Sequence, residues 1–348
     1  MIRNEPAQGA VAPINPWRLC VAPMMDWTDR HCRYFHRVLS PHARLYTEMV
    51  ATGALIHGDA ARHLDFHRSE RPVALQLGGS EPSELVQCAR LGERWGYSEI
   101  NLNCGCPSER VQRGAFGACL MAEPAAVADC VKAMRDAVAV EVTVKHRIGI
   151  DRRDEYGFVR DFVGALRGAG CSTFIVHARS AWLAGLSPKE NRDVPPLRYQ
   201  TVRQLKQDFP DCTFVLNGGL ADTERILHEL EQVDGVMLGR AAYQSPWMLA
   251  DLERRLFGPE GAPEDEAEVV GIMSQYLEGA CSCGVPVRAV VRPMLGLLHG
   301  QRGARTWRRL LSDPLFLQQH GKDSLRAAAA HAPPSVRSRA VRPAEIHR

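Results

Sequence analysis

Apolar residues recur along the first 240 or so positions in eight short runs, and between the runs they return every three or four residues. The runs are RLCVAPM (18–24), ARLYTEM (43–49), PVALQLG (72–78), EINLNCG (99–105), VEVTVKH (140–146), TFIVHAR (173–179), TFVLNGG (213–219) and GVMLGRA (235–241). Most are continuous rather than alternating, the pattern of strands covered on both faces. Between them, EPSELVQCARLGERWG sets Leu85, Cys88, Leu91 and Trp95 at helical spacing. PAAVADCVKAMRDAV and YGFVRDFVGALRGAG share that period, and the second closes on a C-capping glycine. TVRQLKQDF and DTERILHEL complete the set, with Asp222 or Thr223 as the N-cap.

Strand–helix alternation repeated eight times predicts an α/β chain with a parallel sheet and helical crossovers. Eight units in this length match a (β/α)8 TIM barrel over residues 18–257. A doubly wound open sheet is the rival, but the first run leads into APMMDWTD and not into a G-x-G-x-x-G turn. GPEGAPEDEAE (258–268) reads as a linker. Beyond it, VVGIMSQYLEGACSCG and VRAVVRPMLGLLHGQRGARTWRRLLSD predict a small all-helical C-terminal domain over 265–318. Residues 1–17 are then an N-terminal extension, and 319–348, with little periodicity, a disordered basic tail.

Composition changes this picture only in part. The 348 residues are 45% hydrophobic and 24% charged, ordinary globular values that disfavour a disordered or fibrous chain. The net charge of +3 is unevenly spread: from residue 284 onward twelve Lys/Arg face three Asp/Glu, a local +9 that leaves −6 for the rest. A basic end on a near-neutral body points to a polyanionic partner for that end. The N-terminal stretch lacks the apolar core of a signal peptide and no run is long enough for a membrane span, so the cytoplasm is expected. There the eleven cysteines should be reduced, and their odd number argues against a full disulfide framework.

In a barrel, the C-terminal strand ends build the active site. At those ends lie Pro23, Met24 and Met25; Gln76; Asn101, Asn103, Cys104 and Cys106; Lys145, His146 and Arg147; His177 and Arg179; Asn217, Gly218 and Gly219; and Gly239 and Arg240. NGG and GR after the last two strands suit a phosphate nest, or else are tight turns. Lys145 reads as a Schiff-base nucleophile, as a charge beside an anionic cofactor ring, or as a structural ion pair. His177 suits a phosphate or ring carbonyl, or a satisfied core position, and Gln76 the edge of a uracil-like or flavin ring, or a sheet-end hydrogen bond. NLNCGCPSERVQRGAFGACLM (101–121) carries Cys104, Cys106 and Cys119, one ligand short of the usual zinc set and without a nearby histidine. Cys104 and Cys119 read as buried small hydrophobes. Cys106 lies past the strand end on a loop with Gly114 and Gly117, where a mostly protonated thiol can serve as acid or nucleophile.

These residues together resemble a known family. NLNCGCPSERVQRGAFGACLM with APMMDWTDRHCR, LQLGGS, VTVKHRIG, VHAR, LNGG and LGRA looks like the tRNA-dihydrouridine synthases over roughly 18–318. AWLAGLSPKENRDVPPL (181–197) and LGLLHGQRGARTWRRLLS (295–312) favour their A type. The resemblance implies FMN in the barrel, NADPH as reductant, and reduction of D-loop uridine at tRNA positions 20 and 20a to 5,6-dihydrouridine. It implies Cys106 as proton donor to C5 after hydride transfer from N5 of reduced FMN to C6. It implies Pro23, Met24 and Met25 lining the flavin, Gln76, Lys145 and His177 contacting it, and Asn217, Gly218, Gly219, Gly239 and Arg240 holding its phosphate end. Asn103 is then expected at the substrate uridine, and Lys189, Arg192, Arg302 and Arg305 at the tRNA. No metal, membrane or obligate protein partner is implied. The competing readings are a flavin barrel acting on a free pyrimidine, as dihydroorotate dehydrogenases do, a Schiff-base aldolase built on Lys145, and a non-enzymatic tRNA-binding protein. Cys104 and the chain beyond about 318 depart from the family pattern and carry no assigned role.

Overall fold

The computed structural model describes residues 15–332. Its strands are β1 (Leu19–Val21), β2 (Arg44–Tyr46), β3 (Val50–Ala51), β4 (Val73–Gly78), β5 (Glu99–Cys104), β6 (Glu141–Arg147), β7 (Thr173–His177), β8 (Thr213–Asn217) and β9 (Gly235–Leu238). All pair in parallel, β9 returns to β1, and β2 bridges β1 to β4, so the sheet closes into a barrel with helical crossovers. The two-residue β3 continues β2 along β4 after a bulge: Tyr46 pairs with Ala74 and Val50 with Leu77. Thr47 fills the gap, its N–H donating to the Ala74 carbonyl (2.9 Å) and its hydroxyl accepting from the Gln76 N–H (3.0 Å).

Because strand side chains alternate, each strand feeds two cores. Outward residues such as Ile100, Leu102, Cys104, Val142, Val144 and Val176 pack under the helices. The inward set includes Cys20, Ala22, Tyr46, Ala74, Ile175, Val215 and Met237, with Trp17 and Met24 packed against it. Trp17, expected in an N-terminal extension, is instead the floor of the barrel. Its indole N–H donates to Glu99 Oε2 (2.9 Å), and the Arg44 guanidinium lies 4.8 Å from its ring centroid. Residues 1–14 of the expected extension lie outside the described residues. The helix over Thr223–Glu229 is N-capped by Asp222, which accepts from the Arg225 N–H.

After a coil over 257–265 come helices Glu266–Ser282, Val287–Val291, Ala304–Ser312, Pro314–His320 and Ser324–His331. The disordered tail expected from 319 is thus corrected: Leu325, Ala328 and Ala332 are buried against this helical layer, small apolar residues that a periodicity search underweights. Positions 333–348 of that tail lie outside the described residues. The helical domain docks on the first crossover helix, Arg30–Leu39, where Tyr34 stacks on Tyr276 (centroids 3.9 Å apart) and His31 Nδ1 is 2.7 Å from the Tyr276 hydroxyl. Gly296 sits against the backbone of Gln244, so close that a Cβ would fall 2.4 Å from the Gln244 carbonyl oxygen. Among the described residues, no helix is long and apolar enough to cross a membrane.

Trp307 anchors the helical domain: it is fully buried, and its indole N–H donates to the Met294 carbonyl (2.9 Å). Trp307→Ala is expected to destabilise the protein by about 3–5 kcal/mol through cavity formation and an orphaned carbonyl, measurable by urea denaturation.

Candidate active site

The strand alternation that makes two cores also sorts the polar residues at the barrel mouth. Gln76, Asn101, Asn103, Lys145, His177 and Asn217 share the inward parity, and the register sets them side by side: Gln76 opposite Asn101, Asn103 opposite Lys145, His177 opposite Asn217. His146 has the other parity. It is buried beside the rings of Phe162 and Phe174, and burial pushes its pKa down to about 4. Cys104 likewise points outward into the apolar layer, and burial raises its thiol well above the ordinary value. Neither side chain belongs to the mouth.

Cys106 is half-buried at the start of a loop that leaves β5. The Gly105 and Cys106 N–H groups both donate to Asn103 Oδ1 (3.1 and 3.0 Å), and the Cys106 carbonyl accepts from the Ala118 N–H (2.9 Å). Gly117 closes the loop with a positive φ of 83°; a Cβ there would lie 2.6 Å from the Cys106 carbonyl oxygen. Gly78 and Gly114 make room for the Phe116 ring, which a Cβ at either would strike at 2.7 or 2.4 Å. Gly114 and Gly117 therefore permit close packing of this loop. Cys119 corrects an expectation too: it is only half-buried, in a 3-10 turn over Gly117–Ala122, with its Sγ 3.1 Å from the Phe116 carbonyl oxygen.

Two side chains that the sequence left without a role, Arg147 at a strand end and Gln112, tie this loop to the segment after β7. Buried Arg147 donates to the carbonyls of Gly105 (3.0 Å), Ser180 (3.1 Å) and Asn191 (2.9 Å). Gln112 donates to those of Pro107 and Leu183, each at 2.8 Å. Arg147 had a signal, a guanidinium at a strand end; Gln112 on a short surface-like helix had none.

Cations crowd the mouth. Burial, then the charge of Arg147, pushes the Lys145 pKa down to about 7. Its Nζ donates to Asn217 Oδ1 (3.1 Å), whose Nδ2 donates to the Met237 carbonyl (2.8 Å). His177 is held well below its ordinary value by burial and by Arg147, Lys145, Arg179 and Arg192, so it is a neutral imidazole at neutral pH. Arg240 pairs with Asp193 (2.7 Å), and Arg179 reaches the Pro195 carbonyl while its buried Nε has no partner. Gly218 and Gly219 take φ values of 114° and 65°, and a Cβ on Gly218 would fall 2.6 Å from the His177 ring. Five cations, one unpartnered buried guanidinium nitrogen and a glycine pair make a cradle for an anionic group. Pro23 and Met24 are half-buried at the end of β1, and Met25 is 55% exposed.

The expected RNA-contacting residues are spread out. Lys189 and Arg192 are exposed on the segment after β7, which Arg147 and Gln112 bind to the Cys106 loop. Arg302 and Arg305 are exposed on the helical domain. Among the described residues, no three His, Cys, Asp or Glu side chains converge as a metal site.

A parallel barrel with a thiol and an anion cradle at its C-terminal mouth defines a (β/α)8-barrel enzyme. The family model described as dihydrouridine synthase (Dus) matches residues 20–332, and the chain belongs to that family. It is 56% identical over 311 residues to the tRNA-dihydrouridine(20/20a) synthase of Pseudomonas aeruginosa, covering 89% of this chain and 93% of that protein. The enzyme of the same name from Escherichia coli K12 is 56% identical over 297 residues, 85% of this chain and 86% of that one. Among solved structures, the barrel resembles histamine dehydrogenase from Rhizobium sp. 4-9, with a TM-score of 0.52 at 10% identity over 68% of this chain and 46% of that one, a likeness of fold alone.

The depressed Lys145 pKa has a testable consequence in the ligand-free protein. Below pH 7 both folded and unfolded states carry the charge, so the cost of burying it is fully present. Between about 7 and the ordinary 10.5 the folded protein binds fewer protons, and stability rises with pH. Lys145→Met is expected to raise the melting temperature at pH 7 and to flatten that rise, as read by thermal melts across pH.

Proposed function

We propose that this chain reduces the uracil C5=C6 bond of uridine at positions 20 and 20a of the tRNA D-loop to 5,6-dihydrouridine, with FMN in the barrel mouth and NADPH as reductant. The observation that carries the reading is the Cys106 thiol, presented at the mouth beside a cation cradle in a chain of this family.

Gly218, Gly219, Gly239, Asn217 and Arg240 would hold the phosphate end of the flavin, Gln76, Lys145 and His177 its ring system, and Pro23, Met24 and Met25 one face. The donor set fits: a cluster of cations with a neutral histidine suits an anionic cofactor. Reduced flavin held by these residues would supply the hydride for C6 of the uracil. Cys106 delivers a proton to C5 and is left as a thiolate, with Lys145, Arg147 and Arg192 within electrostatic reach as counter-charges. Asn103, at the root of the same loop, would meet the uridine. The base must leave the tRNA fold to reach a barrel mouth, so binding requires nucleotide extrusion. Lys189, Arg192, Arg302 and Arg305 would contact tRNA, and affinity should fall steeply with salt.

The deciding experiment incubates purified protein, NADPH and unmodified tRNA and maps dihydrouridine by position. Dihydrouridine at 20 and 20a is expected; unchanged tRNA with reduction of free uracil or orotate would replace the reading with the free-pyrimidine one. Cys106→Ala is expected to retain the flavin and lose uridine reduction by about 100-fold or more, the scale of lost general acid catalysis. Cys104→Ala and Cys119→Ala should stay active, since one thiol faces outward and the other is bonded to the Phe116 carbonyl.

A further inference from the structure

A single file of hydrogen-bonded side chains crosses the barrel interior from its floor to the Cys106 loop. Glu99, at the start of β5, is fully buried. Its Oε2 accepts from Trp17 Nε1 (2.9 Å) and Arg44 Nη1 (3.0 Å), and its Oε1 from the hydroxyls of Tyr46 (2.8 Å) and Thr143 (2.5 Å). Thr143 Oγ1 accepts from Asn101 Nδ2 (2.7 Å), and Asn101 Oδ1 from Gln76 Nε2 (2.7 Å). Gln76 Oε1 accepts from Asn103 Nδ2 (2.9 Å), and Asn103 Oδ1 from the Cys106 N–H (3.0 Å).

The direction of this file follows from its first member. A carboxylate only accepts, so the Thr143 proton goes to Glu99, and Thr143 must receive an N–H from Asn101. That orients Asn101, which orients Gln76, which orients Asn103, leaving the Asn103 carbonyl for the loop. We propose that Glu99 is a positioning residue that sets the polarity of the file and thereby holds the Cys106 loop, about 13 Å away along β5. The proposal rests on Cys106 as the proton donor.

Glu99→Gln conserves shape but reverses the signal. Trp17 and Arg44 can only donate, so the new amide turns its oxygen to them and its NH2 to Tyr46 and Thr143. Thr143 then accepts from residue 99, and its buried proton needs an acceptor. Flipping the three amides in turn provides one and moves the mismatch to the mouth. There the N–H groups of half-buried Gly105 and Cys106 face an NH2 and can turn to water instead, so the defect settles at the wet end and the loop loses its anchor. Thr143→Val cuts the file, so in the double variant no reversal is transmitted.

The test measures tRNA uridine reduction, together with iodoacetamide labelling of Cys106 read peptide by peptide, in E99Q, T143V, the double variant and C106A. E99Q is expected to lose about 10- to 100-fold in rate, the effect of a misplaced catalytic group, with altered Cys106 labelling. The double variant should return to within about twofold of T143V in both readouts, a departure from additivity that a merely structural role for Glu99 does not give. If E99Q fails to fold and the double variant folds, the frustrated file is the cause and the proposal stands. A folded E99Q with wild-type rate and labelling, a double variant no better than E99Q, or loss of folding in both would overturn it. Full activity in C106A would instead sink the proton-donor reading, so the two failures are distinct.

Discussion

The barrel interior is closed to water for most of its length, and every polar group placed there must find its partner among a few neighbours. Leaving one unmet costs about 1–3 kcal/mol, a sizeable share of a domain's stability. The structure meets that constraint with one acceptor-only group at the floor and a line of donors and acceptors above it. The floor itself is built for that acceptor: Trp17 and Arg44 stack and converge on Glu99, which draws the chain entering β1 into the fold. At the top, the same line meets the loop that carries the half-buried Cys106 thiol.

The mouth is organised by the opposite kind of constraint. Lys145, Arg147, Arg179, Arg192 and Arg240 repel one another, and their effects on His177 and on each other make the ligand-free site electrostatically strained. Only part of that repulsion is relieved within the chain, by Asp193 on Arg240 and by backbone carbonyls around Arg147. A bound anion would relieve the rest. Stability lost here is a common feature of binding sites, where charge is arranged for a ligand and not for folding.

Much of this was legible in the sequence because a barrel reads its own topology: eight apolar runs alternate with helical periods, and strand ends collect the chemistry. The Cys106, Lys145, His177 and Asn217 positions came from that rule. What escaped was Glu99 and the polar line that joins it to Asn101 and Asn103 within β5, although the three recur at the strand period of two. Asn101 and Asn103 read only as strand-end residues, and Glu99, interleaved with Ile100, Leu102 and Cys104, as the start of an apolar run, since nothing local says that the inside of the sheet is as dry as the outside. Helix Ser324–His331 escaped for another reason: alanines carry little hydrophobic signal, yet they allow close approach in a thin helical layer. Gln112 had no local signal because its two carbonyl partners include one from a distant loop.

The docking of the helical domain has a geometric meaning. Tyr34 on Tyr276, and Gly296 pressed against Gln244, join the two domains through packed aromatic and backbone surfaces, and this junction is not a flexible tether. The span from the arginines of that domain to the barrel mouth is therefore fixed when the chain folds. Under the proposed function the protein is a caliper: one jaw grips the body of the RNA, the other holds the reacting base, and the gap between them selects which nucleotide arrives.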